Sequence, residues 1–365
     1  LLQAALQFEA ALARAEAAAG VIPQPAAELI AGACASARFD VAALAEEAAH
    51  AGTLAIALLS RLRALVAERD IEAARLVHRG ASSQDLADTA LMLQAKAGAQ
   101  LIRGTARALS DALARLAQTH ASTPALARTL LQPAQGMTFG LQAAQWLLSI
   151  DQSLRRFEGE CRASLVLQLG GAAGTLQDLS LMVLDRLEAE LGLSAPVLPW
   201  TSRRDGIAGL ACALAILTGA AGKLARDISL LAQWEVREAR EPQIAGRGGS
   251  SSMPHKRNAT GCQIALSAAI RAPGLVSGIL AGLPQEHQRG LGGWQAEAPA
   301  LATLFELAHG ALLAMQAVVE GLDVDAACML KNLRASGVAE DPGLSARLVE
   351  RALEHHRHHA LKDPG

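Results

Sequence analysis

At 365 residues the chain is long enough for two or three domains with a substantial core. Hydrophobic residues make up 51% of it but aromatics only 2%, with no Tyr, so the apolar mass is Ala and Leu, which suits close-packed helices and disfavours sheets. A net charge of -2 excludes a global basic field for nucleic acid or an anionic membrane surface.

The five Cys (34, 161, 212, 262 and 328) are scattered and form no C-x-x-C, which argues for reduced, packing thiols in a reducing compartment. No signal peptide is visible, so a cytoplasmic location is expected, and the chain opens at Leu1 inside a helical pattern, as though some native N-terminus were missing. Residues 1–19 have the periodicity of an amphipathic helix closed by Gly20, ahead of Pro23 and Pro25. Helical patterning continues over 28–36 and 41–68, with a break near 51–56. Residues 78–85, His-Arg-Gly-Ala-Ser-Ser-Gln-Asp, form a polar island in which Ser83 and Asp85 can cap a helix running from about Leu86 to His120. Thr123-Pro124 end it, and Arg128-Thr129-Leu130-Leu131-Gln132-Pro133-Ala134-Gln135 make a second island. Residues 133–169 read as another long helix, punctuated by the glycine-rich stretch 168–175, a break that serves close packing or borders a site. No alternation is long enough to predict a strand.

Residues 204–241 contain no Pro, and Leu214, Leu217, Ala221, Leu224, Ile228 and Leu231 recur at spacings of three and four. The pattern predicts a bundle helix of about 38 residues, roughly 57 Å long, a length expected where several chains share one bundle. Its uncharged apolar run, 206–222, is expected to be buried in that bundle rather than to span a membrane. Residues 246–258, Gly-Arg-Gly-Gly-Ser-Ser-Ser-Met-Pro-His-Lys-Arg-Asn, break the pattern. By composition this is a flexible linker; by chemistry its cationic, amide-rich end before a helix is a place for a carboxylate. A phosphate loop is excluded, since Lys256 follows His255 rather than Gly and no strand precedes it. Residues 260–283 are helical with Pro273 as a kink, 284–297 form the last dense polar island, and 301–320 are helical again. His355 and His359, four apart, lack a His-Glu-x-x-His arrangement and read as a solvated helix face rather than a metal site.

Three of these islands resemble one family. Gly249-Ser250-Ser251-Ser252-Met253-Pro254-His255-Lys256-Arg257-Asn258 is similar to the fumarase/aspartase superfamily signature Gly-Ser-Ser-x-Met-Pro-x-Lys-x-Asn. Residues 78–85 resemble its His-x-Gly-Ala-Thr-Ser-Gln-Asp motif, with Ser82 in the Thr place, and 127–134 its Gly-Arg-Thr-His-x-Gln-x-Ala motif, with Ala127 for Gly and Leu130 for His. Pro199-Trp200-Thr201 resembles Pro-Trp-His, with Thr201 in the His place.

The resemblance, which covers roughly residues 1–334, implies an all-α, long-helix bundle in a three-domain chain: an N-terminal helical domain (1–88), a central bundle (89–324) and a shortened C-terminal segment (325–365). It implies a homotetramer whose sites each draw one motif from each of three subunits. Ser250 becomes the proton-transferring residue, and His78, Ser82, Ser83, Gln84, Arg128, Thr129, Gln132, Ser251, Met253, Lys256, Asn258 and Arg289 become substrate-binding candidates. The shared chemistry removes a proton next to a carboxylate and needs preorganised positive charge where the dianion forms, but no metal or organic cofactor.

Within the superfamily, Gln285-Glu286-His287-Gln288-Arg289-Gly290-Leu291-Gly292-Gly293-Trp294-Gln295-Ala296-Glu297 resembles the cycloisomerase branch and not the Glu-Arg-x-Leu-x-Asp-Ser of the lyases. Leu130 agrees: a His there is tied to protonating a nitrogen leaving group, whereas a lactonising enzyme uses the substrate's own carboxylate as nucleophile. The expected activity is therefore lactonisation of a carboxymuconate, a small tricarboxylate, in aromatic catabolism, with neither nucleic acid nor membrane as partner. The alternatives are an adenylosuccinate- or argininosuccinate-type lyase and a non-catalytic, crystallin-like structural protein on the same fold.

Overall fold

A computed structural model describes residues 1–249, 253 and 256–360, the last two by backbone alone. Ser250 and Ser251 lie outside the described residues, as does the side chain of His359. The described chain is a helical protein with a few short strands, and it divides into two compact units: Leu1–Gly98, Glu160–Gly209 and Gly278–Pro299 make unit 1, and Ala99–Gly159, Leu210–Ser277 and Ala300–Gly365 make unit 2. In chain order come α1 (Leu2–Ala18), α2 (Gln24–Ser36), α3 (Val41–Ala51), α4 (Leu54–Ala67), α5 (Ile71–Arg75), α6 (Ser83–Thr119), β1 (Pro124–Thr129), β2 (Gln132–Thr138) and α7 (Phe139–Ser164). Then follow α8 (Leu181–Leu191), α9 (Asp205–Leu231), β3 (Ala239–Arg240), α10 (Thr260–Ala281), α11 (Gly293–Glu320), β4 (Asp323–Val324), α12 (Ala326–Ala335) and α13 (Ser345–Ala360).

In unit 1, α1 packs against α2 and α8 through Ala5, Leu6, Phe8, Leu12 and Ala15, a stripe at helical spacing that also buries Glu9 and Glu16. Helix α2 begins at Gln24, earlier than the pattern suggests, because Pro25 falls in the first turn, where its missing N–H costs nothing. The break between α3 and α4 is a left-handed Gly52, φ 72°, followed by Thr53, whose hydroxyl accepts from Ala55 N. The cap of α6 is Ser82 rather than Ser83. Ser82 Oγ accepts from Asp85 N at 3.3 Å and Asp85 Oδ2 accepts from Ser82 N at 2.8 Å, so the two close a reciprocal capping box.

Unit 2 departs from expectation in two places. Residues 133–138 are not the start of a helix: β1 and β2 pair antiparallel, with Thr129 opposite Gln132, and α7 starts only at Phe139. The two-residue turn between them is Leu130-Leu131, with φ 51° and 63°, a left-handed conformation that ordinarily selects Asn or Gly. Helix α9 spans 27 residues, about 40 Å, and not the 38 expected. It stops where its seam stops. Leu214, Leu217, Ala221, Leu224 and Ile228 are buried, whereas nothing apolar continues the period past Leu231.

Of the C-terminal histidines, His358 is exposed, as a solvated face would have it, but His355 and His356 are half-buried and partnered. His356 Nδ1 lies 2.9 Å from Asp151 Oδ2 and Nε2 3.3 Å from Asp111 Oδ1, and Arg155 reaches His355 Nε2 at 3.3 Å. Among the described residues no group of three or more His, Cys, Asp and Glu could hold a metal ion.

Helices α9, α10 and α11 are long and apolar enough to cross a membrane by length and composition alone. Two-thirds of the most apolar window of α9 (67%) is buried, as expected for a bundle helix, but only 22% of that of α10.

Candidate active site

In unit 1 the site is built on the 78–85 segment. Between α5 and α6 the chain turns through His78, φ 63°, and Gly80, φ 67°. A left-handed non-glycine residue is uncommon, and here it turns the imidazole inward onto α1, where Nδ1 meets Glu9 Oε1 at 2.6 Å. Asp85 ties this segment to the glycine-rich bend. Its Oδ2 accepts from Ser82 Oγ at 2.9 Å and from Gly171 N at 2.9 Å, while Oδ1 accepts from Gln168 Nε2 at 3.0 Å. Gly171 must be glycine: its φ is 69°, and a Cβ would stand 2.8 Å from the Gly80 carbonyl oxygen. Arg289 Nη2 completes the stitch, donating to Ser82 Oγ at 2.9 Å and to Gly171 O at 3.0 Å. The bend therefore borders the site and also serves its packing.

These residues edge a cavity of about 930 Å³ lined by Arg63, His78, Ser82, Ser83, Asp178 and Arg289 among others. Three of its groups can hold an anion, and two of them have buried nitrogens without a partner, Arg289 Nε and His78 Nε2. Gln84, expected on the substrate, is instead fully buried. Its amide donates to Thr201 O at 2.7 Å and Asp88 Oδ2 at 3.1 Å, and it does not line the cavity. Ser82 lines the cavity, but its hydroxyl is committed to Asp85 and Arg289.

Beneath the cavity wall lies a buried ion cluster the sequence did not disclose. Arg204 clamps Asp88 at 2.7 and 2.8 Å and reaches Glu297 Oε2 at 2.7 and 2.9 Å, with its guanidinium 4.7 Å from the Trp200 ring centre. The Gln-Ala-Glu end of the last polar island and the Pro-Trp-Thr motif are thus parts of the scaffold. Thr201, in the place of a His, donates to Gln288 O at 2.7 Å and anchors the segment that carries Arg289.

In unit 2, Arg128 forms a two-pronged pair with Glu238 at 2.9 and 2.6 Å, and Asn332 Nδ2 holds the same carboxylate at 2.9 Å. The guanidinium expected on a substrate carboxylate therefore already has a carboxylate of its own. Thr129 and Gln132 are exposed at the end of the hairpin, and Leu130 at its tip is 96% exposed. Lys256 and Asn258 line a cavity of about 610 Å³ together with Trp234, Arg237, Arg240 and Arg247. Asn258 N donates to Gly248 O at 2.9 Å and Lys256 N to Met253 O at 3.0 Å, so backbone bonds hold the backbone of both residues at the cavity edge. Met253 is 40% exposed and is not part of that lining. The three arginines were not singled out by the sequence, although the Arg-Glu-Ala-Arg-Glu run at 237–241 held two of them. In a chain of near-zero net charge this cavity carries several cations beside one acid, Glu241, a local positive balance that suits an anionic ligand.

A helical fold with one cationic cavity lined by Lys256 and Asn258 and another lined by the 78–85 motif defines a carboxylate-handling enzyme of the helical lyase class. Residues 1–274 match the lyase family. The 3-carboxy-cis,cis-muconate cycloisomerases of Bradyrhizobium diazoefficiens and Pseudomonas aeruginosa are 48% and 44% identical, each over 99% of this chain and over 81% and 80% of their own. A crystal structure of the 3-carboxy-cis,cis-muconate lactonizing enzyme from Pseudomonas putida aligns with a TM-score of 0.93 at 37% identity, covering 98% of this chain and 95% of that one. The chain belongs to this lyase family, within the fumarase/aspartase superfamily.

Proposed function

We propose that the protein is a 3-carboxy-cis,cis-muconate cycloisomerase, closing its substrate to 4-carboxymuconolactone. The observation that carries this is the 48% identity, over nearly the whole chain, to a relative of that name. The site supports it. A tricarboxylate needs several cations, and each cavity offers some: Arg63 and Arg289 beside His78 in unit 1, and Lys256, Arg247 and Arg237 in unit 2. Leu130 supports it too, since a substrate carboxylate acting as nucleophile needs no histidine to protonate a nitrogen leaving group.

In this reading one carboxylate adds to the conjugated double bond, and Ser250 delivers a proton to the carbon next to another. Lys256, Asn258, Ser251 and Met253 hold the loop side of the substrate, and His78, Ser83 and Arg289 the other side. Thr129 and Gln132 contribute from the hairpin, and Arg128 acts through its pair with Glu238 by fixing that hairpin. The test is the ultraviolet absorbance of 3-carboxy-cis,cis-muconate on adding purified protein. Lactonisation removes the conjugated diene, so absorbance falls; an unchanged spectrum together with cleavage of adenylosuccinate would transfer the protein to the lyases.

The active form in this reading is a cytoplasmic homotetramer whose sites combine motifs from three subunits. What supports it is α10, an apolar helix that leaves Ile264, Ile270 and Leu280 at 45%, 73% and 43% exposure in a single chain, alongside Ile216 of α9 and Leu313 of α11. Subunit contacts would cover these positions without a membrane. Light scattering is expected to give four times the chain mass, and a monomer that still turns over would end the shared-site reading.

A further inference from the structure

Glu9 lies on the apolar stripe of α1, its side chain fully buried, 69 residues away in sequence from the histidine it touches. A carboxylate is costly to bury, and a stripe otherwise made of Ala, Leu, Phe and a second acid, Glu16, gives it no donor in return. Its contact is His78, whose ring is 7% exposed, whose backbone is held left-handed and which lines the cavity of unit 1. The contact uses Glu9 Oε1 and His78 Nδ1, and leaves both Glu9 Oε2 and His78 Nε2 buried without a partner. A second carboxyl of the same stripe, Glu16, is pushed up to about 8 by burial, against the pull of Arg79 and with the help of Glu9. Glu16 is therefore largely neutral near pH 7, while Glu9 is the carboxyl placed on the imidazole.

We propose that Glu9 is a positioning residue: by accepting the Nδ1 proton of His78 it fixes the ring's orientation and favours the form with a proton on each nitrogen, and so sets the affinity of the cavity for a substrate carboxylate. The proposal rests on reading that cavity as part of the substrate site. The nitrogen at one end of an imidazole is defined by the hydrogen bond at the other. With Nδ1–H held by Glu9, Nε2 is the free end, buried in a residue that lines the same cavity as Arg289, whose buried Nε lacks a partner as well. A carboxylate entering the cavity supplies an acceptor for Arg289 Nε and for a His78 ring that carries a proton on each nitrogen, the form that a carboxylate on either side of the ring stabilises. Glu9 itself touches no substrate.

The test uses the whole chain and the Glu9→Gln, Glu9→Asp, His78→Asn and Glu9→Gln/His78→Asn variants. Two quantities are measured: KM and kcat for 3-carboxy-cis,cis-muconate, and binding of tricarballylate, a non-reacting tricarboxylate, by calorimetry. Glu9→Gln is isosteric and is expected to raise KM and weaken tricarballylate about tenfold, with kcat changed less than about twofold and an unchanged melting temperature. Glu9→Asp keeps the charge but withdraws it by one methylene, and is expected to show the same split. The double variant is expected to be no worse than His78→Asn alone, because Glu9 acts only through that ring. An unchanged KM and affinity in both Glu9 variants, or losses that multiply in the double variant, overturns the proposal. Tricarballylate binding without turnover in the unaltered protein would sink the cycloisomerase reading and leave the Glu9 result to be judged on binding.

Discussion

Replacing Arg204 by leucine is expected to cost about 3–5 kcal/mol of stability, the range found when one partner of a buried ion pair is removed. Arg204, Asp88 and Glu297 are essentially inaccessible to water, with side-chain exposures of 0%, 3% and 1%. The guanidinium donates to both carboxylates, so its loss leaves two acids facing each other in a dry site. For a unit of this size the midpoint of thermal unfolding should fall by roughly 10 °C. The sign of the pH dependence follows from the carboxyls. Burial pushes those of Asp88 and Glu297 up even while Arg204 pulls them down. A folded value above the unfolded one stabilises the fold below the ordinary carboxylate range, and that stability is lost as pH rises through the raised value. Without Arg204 the values rise further, so the deficit of the leucine variant should be smaller near pH 5 than near pH 7. A urea series at the two pH values checks this, and a deficit that grows on acidification would show that the cluster is held by something other than its charges. Neutralising all three, with Asp88→Asn, Arg204→Leu and Glu297→Gln together, is expected to recover most of the loss, because the penalty comes from the unpaired charge and not from the absent pair.

The helices were legible because burial imposes a period on them. The stripe of α1, the seam of α9 and the glycine stop at residue 52 can be read one residue at a time. The hairpin at 124–138 was not, since a turn made of Leu130 and Leu131 in left-handed conformation carries none of the Asn-Gly chemistry that announces such turns. Nor was the end of α9: residues 232–241 are rich in good helix formers, yet the helix ends with its apolar seam and the chain goes on to pair Ala239 and Arg240 with β4. The site divides the same way. The motif residues could be named from local strings, but their partners could not. Arg128 finds Glu238 across 110 positions, Arg204 finds Glu297 across 93 and His78 finds Glu9 across 69. One signal was available in principle: Glu9 and Glu16 sit seven apart on an otherwise apolar stripe, and a charge in a stripe asks for a partner.

The largest effect on activity is expected at Ser250. In the proposed reaction it carries the proton to the carbon next to a carboxylate, and removal of a positioned acid or base typically lowers the rate by about 10²–10⁴. Ser250→Ala should therefore lower kcat by that factor in the diene assay while leaving KM within a few-fold, since the carboxylates remain held by Lys256, Asn258, His78 and Arg289. The distribution between the two constants is what decides. A residue used only in binding raises KM and spares kcat, whereas one used only in the transition state lowers kcat and kcat/KM together. Lys256→Met supplies the contrast. It removes a cation from a cavity wall that still has Arg237, Arg240 and Arg247, so its expected result is a KM raised about tenfold or more, with the smaller loss in kcat. Should Ser250→Ala behave like Lys256→Met, the serine would be a ligand, and the proton would have to come from a group that already faces the substrate. His78 is the one such group in the unit 1 cavity whose imidazole has a nitrogen without a partner, so a kcat collapse in His78→Asn beside a mild Ser250→Ala would move the acid from the serine loop to the Glu9–His78 pair.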